Sequence, residues 1–314
     1  KFTGEEVVNE SEVNFTSIAE GITYPHTVTL PAGKYEIELA GSKGKDFKLS
    51  SPYPPAKGGK GGKIKFRLEL ATATNVRIEK ISINAEDYGT SYWIYVDDVL
   101  YAAVGGGGDA NSWYHETYAY YLARNGGDGG SDIAGGGTDL EDGKGAIGNT
   151  GGLAGGWTNY GYDTGAPGNP GKNSNDETNK GEGGASWNGS AGNGGCGYAG
   201  GGGGAYSYTT WEIRRGSGGG GTSYVKDTGI ILLENSKGTN DGFGFAKITT
   251  VRPYGLMTDV TGHIPTVQKG TKPDGTNGTA YEPINSLTGK RKQTFNGDNA
   301  ATVYKLAEKG NVSV

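Results

Sequence analysis

The stretch GAIGNTGGLAGG, residues 145–156, decides how this chain is read. It has almost nothing to bury, and its glycines lose much backbone freedom when they order. It also lies within a block, residues 105–222, that is roughly one-third glycine, against about 7% in ordinary proteins. Sequence on both sides of that block alternates like β-strands.

The glycines of the block recur at intervals of three. Gly145, Gly148 and Gly151 are so spaced, as are Gly165, Gly168 and Gly171. Gly189, Gly192 and Gly195 repeat the interval, and Gly194, Gly197, Gly200 and Gly203 extend it. A threefold extended helix puts every third residue on one edge, rises about 3.1 Å per residue and has no internal hydrogen bonds. Glycine on that edge lets neighbouring backbones approach, so parallel segments can satisfy one another's N–H and C=O groups. The spacing therefore predicts an ordered insert whose core is backbone. Collagen would need unbroken Gly-X-Y and abundant proline, but the register breaks after two or three triplets and the chain has 11 Pro. A disordered linker is the competing reading. Against it stand Trp113, Trp157, Trp187 and Trp211 with many tyrosines, because disordered segments are poor in aromatics.

Before the block, HTVTLPAGKYEIELAG (26–41), GGKIKFRLEL (61–70), NVRIEKISI and SYWIYVDDVLYAAV alternate with period two. Residues 20–104 are read as an antiparallel β unit with one wet face and no helix. After Thr222 the habit returns in SYVKDTGIILLEN and FGFAKITTVRPY. Residues 1–19 read as an extended N-terminal arm, with Val8, Val13, Phe15 and Ile18 spaced along it. Residues 253–314 form a turn-rich C-terminal extension ending in alternating Val312 and Val314.

The net charge of −5 and a pI near 5.4 argue against nucleic-acid binding. No apolar run approaches the roughly 20 residues of a membrane helix. The first residue is Lys1, which a cleaved secretion signal or an excised domain would each explain. Cys196 is the only cysteine, so no intrachain disulfide forms, and it reads as a small filler.

The strand, Pro-x-Gly turn, strand and glycine-loop order of TVTLPAGKYEIELAGSKGKD and KGGKGGKIKFRLEL resembles a glycine-rich domain family. Its members occur in ectodomains of anaplastic-lymphoma-type receptor kinases and in bacterial and phage surface proteins. YVDDVLYAAVGGGGDANSW, GSGGGGTSYV and GFGFAKITTV resemble its later strands, so the likeness covers roughly residues 20–252. It implies an all-β fold: an antiparallel β-sandwich (jelly-roll/TNF-like), with residues 105–222 as an inserted glycine-rich polyglycine-II helix bundle. The segment GSKGKDFKLSSPYPPA is poorer in glycine than the family pattern, and WYHETYAYYLARN interrupts the block. Phage tail-tip adhesins carry such bundles with variable loops, and the interruptions at 109–124, 157–164, 172–180 and 205–215 would occupy those loop positions.

Catalytic signatures are lacking. GNGGCG (192–197) matches a dinucleotide fingerprint without the strand and helix that such a site needs. His26, His115 and His263 have no partner at i+4. Acidic spots at Asp97-Asp98, DLEDG (139–143), NDE (175–177) and DGTNG (274–278) lack EF-hand spacing. Ca²⁺ is the only cofactor they suggest, and DLEDG reads more simply as a solvated turn. Sequons occur at Asn9, Asn14, Asn188, Asn277 and Asn311.

Trp113, Tyr114, Trp157, Tyr160, Tyr162, Trp187, Tyr206, Tyr208 and Trp211 are the candidate ligand-binding residues. Tyrosine and tryptophan make binding hot spots and stack on sugars, and they also cap and fill structures. Val8, Val13, Phe15, Val312 and Val314 are the candidate assembly residues, for terminal arms that add strands to a neighbour's sheet. Two functions follow. One is a non-enzymatic extracellular or virion-surface structural protein, self-assembling into a filament or appendage by strand exchange through those arms. The other is a tail-fibre adhesin or receptor-type ectodomain that binds a glycan or protein.

Overall fold

A computed structural model describes residues 6–16, 24–48, 55–83, 85–115, 120–156, 164–166, 169–176, 178–186, 189–208 and 212–253. The chain divides into two compact units, Ser11–Thr249 and a second of Lys1–Glu10 with Thr250–Val314. Of the second unit only residues 6–10 and 250–253 are described. Candidates Val312 and Val314 lie outside the described residues. Val8, Val13 and Phe15 lie in a strand, Glu6–Thr16, of which only the backbone is described.

The strands are β1 Glu6–Thr16, β2 His26–Leu30, β3 Gly33–Ala40, β4 Gly61–Leu70, β5 Thr74–Ile81, β6 Ser91–Val96, β7 Val99–Ala103 and β8 Asn111–His115. They continue with β9 Tyr120–Arg124, β10 Thr164–Ala166, β11 Tyr206–Tyr208, β12 Glu212–Arg215, β13 Tyr224–Val225, β14 Ile230–Asn240 and β15 Phe245–Pro253. No α-helix occurs among the described residues. Three five-stranded sheets result, in the orders β1-β15-β3-β4-β14, β13-β7-β6-β5-β2 and β10-β11-β12-β8-β9.

The first two sheets share one core. Ile37, Leu39, Ile64, Phe66, Leu68 and Ile248 of the first pack with Val76, Ile78, Tyr92, Ile94 and Val96 of the second. Period-two alternation places these side chains inward. Pro31-Ala32 therefore does not join a hairpin. It carries the chain from β2 in one sheet to β3 in the other, and β3 pairs with β4 from Gly33↔Leu70 to Ala40↔Lys63. The tight hairpin is β6–β7, whose two-residue loop Asp97-Asp98 has φ of 46° and 60°.

The expectation of one wet face fails at β6, which is buried along its whole length. Trp93 and Tyr95 point away from the shared core yet are 2% and 7% exposed. Tyr198 covers them, with rings 5.9 Å from Trp93 and 4.6 Å from Tyr224. The Lys180 ammonium lies 5.2 Å from the Trp93 ring centroid, bonds Tyr95 Oη at 2.8 Å and pairs with Glu79 at 2.9 Å. A surface that alternation marks as wet is dry because residues of the glycine block, 85 or more positions away, pack on it.

Between these sheets and the third lie the glycine segments, extended and bonded laterally. Segment 216–223 shows the rule. Its amides at Gly216, Gly219 and Thr222 donate to the carbonyls of Ala205, Gly202 and Ala199. Those at Gly218 and Gly221 donate to Asp109 and Gly106, and that at Gly220 donates to Gly135. Its carbonyls at Ser217 and Gly220 accept from Gly143 and Ala146, those at Gly218 and Gly221 from Gly127 and Gly130, and those at Gly216 and Gly219 from Gly192 and Gly195. All these bonds span 2.8–3.1 Å, and each direction recurs every third residue. Segment 199–205 repeats the pattern: Gly200 and Gly203 donate to Lys172 and Asn169, Gly201 and Gly204 to Gly195 and Gly192, and Gly202 and Ala205 to Lys144 and Glu141.

Such spacing leaves no room for Cβ. At Gly201 it would overlap the Gly219 carbonyl oxygen, and at Gly219 the Lys144 carbonyl oxygen, both of them backbone that cannot swing away. At Gly33, by contrast, a Cβ would rest in ordinary contact with the Tyr35 ring at 3.6 Å. Gly201→Ala and Gly219→Ala should each destabilise the protein by about 1–3 kcal/mol or more. Gly33→Ala should change stability by less than about 1 kcal/mol. Denaturant unfolding of the three variants measures the contrast.

Candidate functional site

The third sheet grows directly out of the glycine segments. Segment 104–110 continues into β8, β9 continues into 125–130, 199–205 continues into β11, and β12 continues into 216–223. The lateral bonds of those segments set which strands meet. Gly216 donates to Ala205, so β11 lies beside β12. Gly218 donates to Asp109, so β12 lies beside β8. Gly108 donates to Gly127, so β8 lies beside β9. The strand order β11-β12-β8-β9 is thus the packing order of the glycine segments beneath it. The interruptions at 109–124 and 205–215, read from sequence as loops, are here largely paired strands, because the segments below hold their ends at strand spacing.

This sheet gathers four of the candidate ligand-binding residues. Trp113 pairs in register with Arg214 and Leu122, and Tyr114 with Ile213 and Tyr121. Tyr206 pairs with Arg215, and Tyr208 with Ile213. Successive strand residues face opposite sides, so Tyr114, Tyr121, Tyr206, Ile213 and Arg215 share one face. The Tyr114 and Tyr121 rings are 4.6 Å apart between centroids and inclined at 33°, and both are partly exposed. Trp157, Tyr160, Tyr162, Trp187 and Trp211 lie outside the described residues. By sequence, Trp157, Tyr160 and Tyr162 fall between segment 151–156 and β10, and Trp211 immediately precedes β12.

The opposite face carries an ionic cluster. The Arg124 side chain, 7% exposed, pairs with Asp139, with Glu141 at 3.7 Å and with Asp142 at 3.4 Å. Arg214 reaches Glu141 at 3.3 Å. Asp142 also accepts from Ser217 N at 2.8 Å, Ser217 Oγ at 3.1 Å and Asp139 N at 3.1 Å. Glu141 and Asp142 are 1% and 4% exposed, which corrects the reading of DLEDG as a solvated turn. The sequence shows an acidic turn, but its two arginines come from strands 15 or more residues away and only the fold delivers them. The cluster clamps the sheet to the glycine segments.

Asp109, where segment 104–110 approaches β8, is a second buried carboxylate. It accepts from Lys45 N at 2.7 Å, Asn193 N at 3.3 Å and Asn193 Nδ2 at 3.1 Å. Burial outweighs these donors and holds its carboxyl above the ordinary aspartate value. Burial likewise pushes the Cys196 thiol up to about 12, which leaves it protonated and unreactive.

Among the described residues, no group of three or more His, Cys, Asp and Glu side chains is placed to hold a metal ion. The acidic spots considered for Ca²⁺ are engaged elsewhere where they are described. Asp97 accepts from Asn75 N at 3.3 Å, Asp98 pairs with Arg77 at 3.3 Å, and Glu141 and Asp142 serve the arginines. His26 pairs in register with Ile78, only the backbone of His115 is described, and His263 lies outside the described residues. No helix among the described residues is long and apolar enough to cross a membrane. No protein-family profile matches the chain, and no curated protein matches its sequence.

Arg124→Ala would leave buried Asp142 without its arginine and Glu141 with Arg214 alone. Removing one partner of a buried pair costs about 3–5 kcal/mol. Limited proteolysis should therefore cut β8–β9 and β11–β12 faster in this variant while the shared core of the other two sheets stays resistant. Asp109 yields a signed pH effect. A folded-state pKa raised above the unfolded value means the native state binds more protons, so this group's contribution to stability falls as pH rises through that interval. Asp109→Asn should remove that contribution, which is read as the difference in the slope of unfolding free energy against pH from just below the ordinary aspartate value upward.

Proposed function

We propose that this chain is a non-enzymatic binding module of an extracellular, cell or virion surface, and that its recognition surface is the tyrosine-bearing face of the third sheet. The observation that carries this reading is the origin of that sheet. Its strands are continuations of the glycine segments, held at fixed spacing by backbone bonds and clamped by the Arg124–Glu141–Asp142 cluster. Tyrosine contributes rigid, amphipathic contact area at low entropic cost. On this reading the laterally bonded segments are polyglycine-II helices, because the period-three bonding in several directions is what parallel threefold helices require. The two sheets that share a core then form a jelly-roll/TNF-like β-sandwich that bears the bundle, in keeping with the glycine-rich family resemblance. At about 3.1 Å per residue, segment 104–110 spans roughly 20 Å, enough to carry the binding face clear of the sandwich. Tyr114→Ala and Tyr206→Ala should each weaken binding to intact target surfaces or to a glycan array, with Tm unchanged. Full binding by the double variant would refute the placement.

A second reading, self-assembly into a filament or appendage, has one specific observation in its favour. β14 closes the first sheet at an edge, yet Ile231, Leu232 and Leu233 in it are 65%, 50% and 45% exposed. Soluble proteins blunt apolar strand edges with charge, proline or a bulge, and β14, though its pairing is irregular at Leu233, still exposes three successive apolar residues. The natural occupant is a strand of a second copy, the terminal arms being the candidates, with β1 giving up its place beside β15 of its own sheet to do so. Ile231→Lys with Leu233→Lys should abolish concentration-dependent association in light scattering. An unchanged mass distribution that is monomeric for both proteins at every concentration would exclude this reading.

A further inference from the structure

Three arginines lie in the third sheet, and the structure treats them differently. Arg124 and Arg214 are on the face that carries the ionic cluster, and each pairs with buried Glu141, Arg124 with buried Asp142 as well. Arg215 is on the other face, directly across from Tyr206 and two residues from Ile213, whose register partner is Tyr114. It is partly buried, and no carboxylate among the described residues pairs with it. A guanidinium on an aromatic face, with no counter-charge among the described residues, is a docking point for an anion, since its fork of N–H donors matches a carboxylate bidentately.

We infer that the tyrosine face binds an acidic saccharide, with a sugar ring lying on the Tyr114–Tyr121–Tyr206 surface and its carboxylate taken by Arg215. This rests on the reading of the sheet as the binding surface and adds the ligand's chemistry. The composition of the face separates a sugar from a protein partner. Among its described side chains, Ile213 and the small Ala123 are the aliphatic ones, beside Ser112, the tyrosines and Arg215, whereas the buried centre of a protein interface is more apolar. Tyrosine pairs an apolar ring with a hydroxyl tip, which suits a pyranose with one C–H face and a polar rim.

The test uses the full chain and a panel of oligogalacturonate, hyaluronan oligosaccharide and sialyllactose, each compared by calorimetry with its carboxyl methyl ester. An oligoglutamate peptide completes the panel. At least one acidic saccharide should bind, and its ester should bind roughly ten- to hundredfold more weakly, the range for a lost hydrogen bond to a charged group. Arg215→Gln should lose the same factor for the acid and bind acid and ester alike. Arg215→Lys should retain part of the preference, and Lys226→Gln, outside this sheet, should behave as wild type. Tyr114→Ala should weaken acid and ester together. Equal binding of acid and ester, or wild-type affinity in Arg215→Gln, overturns the inference and leaves the binding role of the sheet standing. Binding of oligoglutamate through Arg215 with no saccharide bound overturns the sugar assignment in favour of an acidic protein. If nothing in the panel binds, and Tyr114→Ala and Tyr206→Ala are also silent on intact target surfaces, the inference and the reading of the sheet fall together.

Discussion

The structure depends on one interaction, the hydrogen bond from an amide of one glycine segment to a carbonyl of another. Each such bond contributes only about 0.5–1.5 kcal/mol net, while ordering a residue's backbone costs about 1–2 kcal/mol, and more for glycine. A single segment therefore cannot order alone. Segment 216–223 orders because it is bonded on many sides at once, from Ala205, Asp109 and Gly135 through Gly143, Gly127 and Gly192. The close approach that makes those bonds also excludes Cβ, so the glycine content and the bonding pattern are one constraint seen from two sides.

That constraint propagates in both directions along the chain. Toward the shared core, the block's Tyr198 and Lys180 cover Trp93 and Tyr95, so the outer face of β6 is dry. Toward the third sheet, the packing order of the segments becomes the strand order, and the ionic cluster around Glu141 and Asp142 locks the register. Charge is spent inside the structure on one side of that sheet, at Arg124 and Arg214, while Arg215 on the other side has no carboxylate partner among the described residues. A hydrophobic core does not hold the third sheet, because Tyr114, Tyr121, Leu122, Tyr206 and Ile213 all stay partly or largely exposed. Backbone bonding and paired charge take that role.

The sequence alone was informative wherever a local rule governs. Period two marked β3 through Ile37 and Leu39 and β4 through Ile64, Phe66 and Leu68, because a strand at a core must alternate. The three-residue glycine interval marked segment 194–203, which bonds laterally at successive glycines because close approach admits no Cβ there, but it misled at Gly148 and Gly189, which lie at φ 55° and 70° with nothing within 4 Å of a Cβ. Trp113, Tyr114, Tyr206 and Tyr208 stood out as aromatics within polar sequence, and the third sheet holds all four. What only the tertiary structure decided is which segments become neighbours. The separation of β2 and β3 into different sheets depends on that, as do the burial of Trp93 beneath Tyr198, the pairing of DLEDG with Arg124 and Arg214, and the unpaired state of Arg215 among the described residues. These features join residues tens of positions apart, and a lateral hydrogen bond leaves no mark in sequence of the partner it takes.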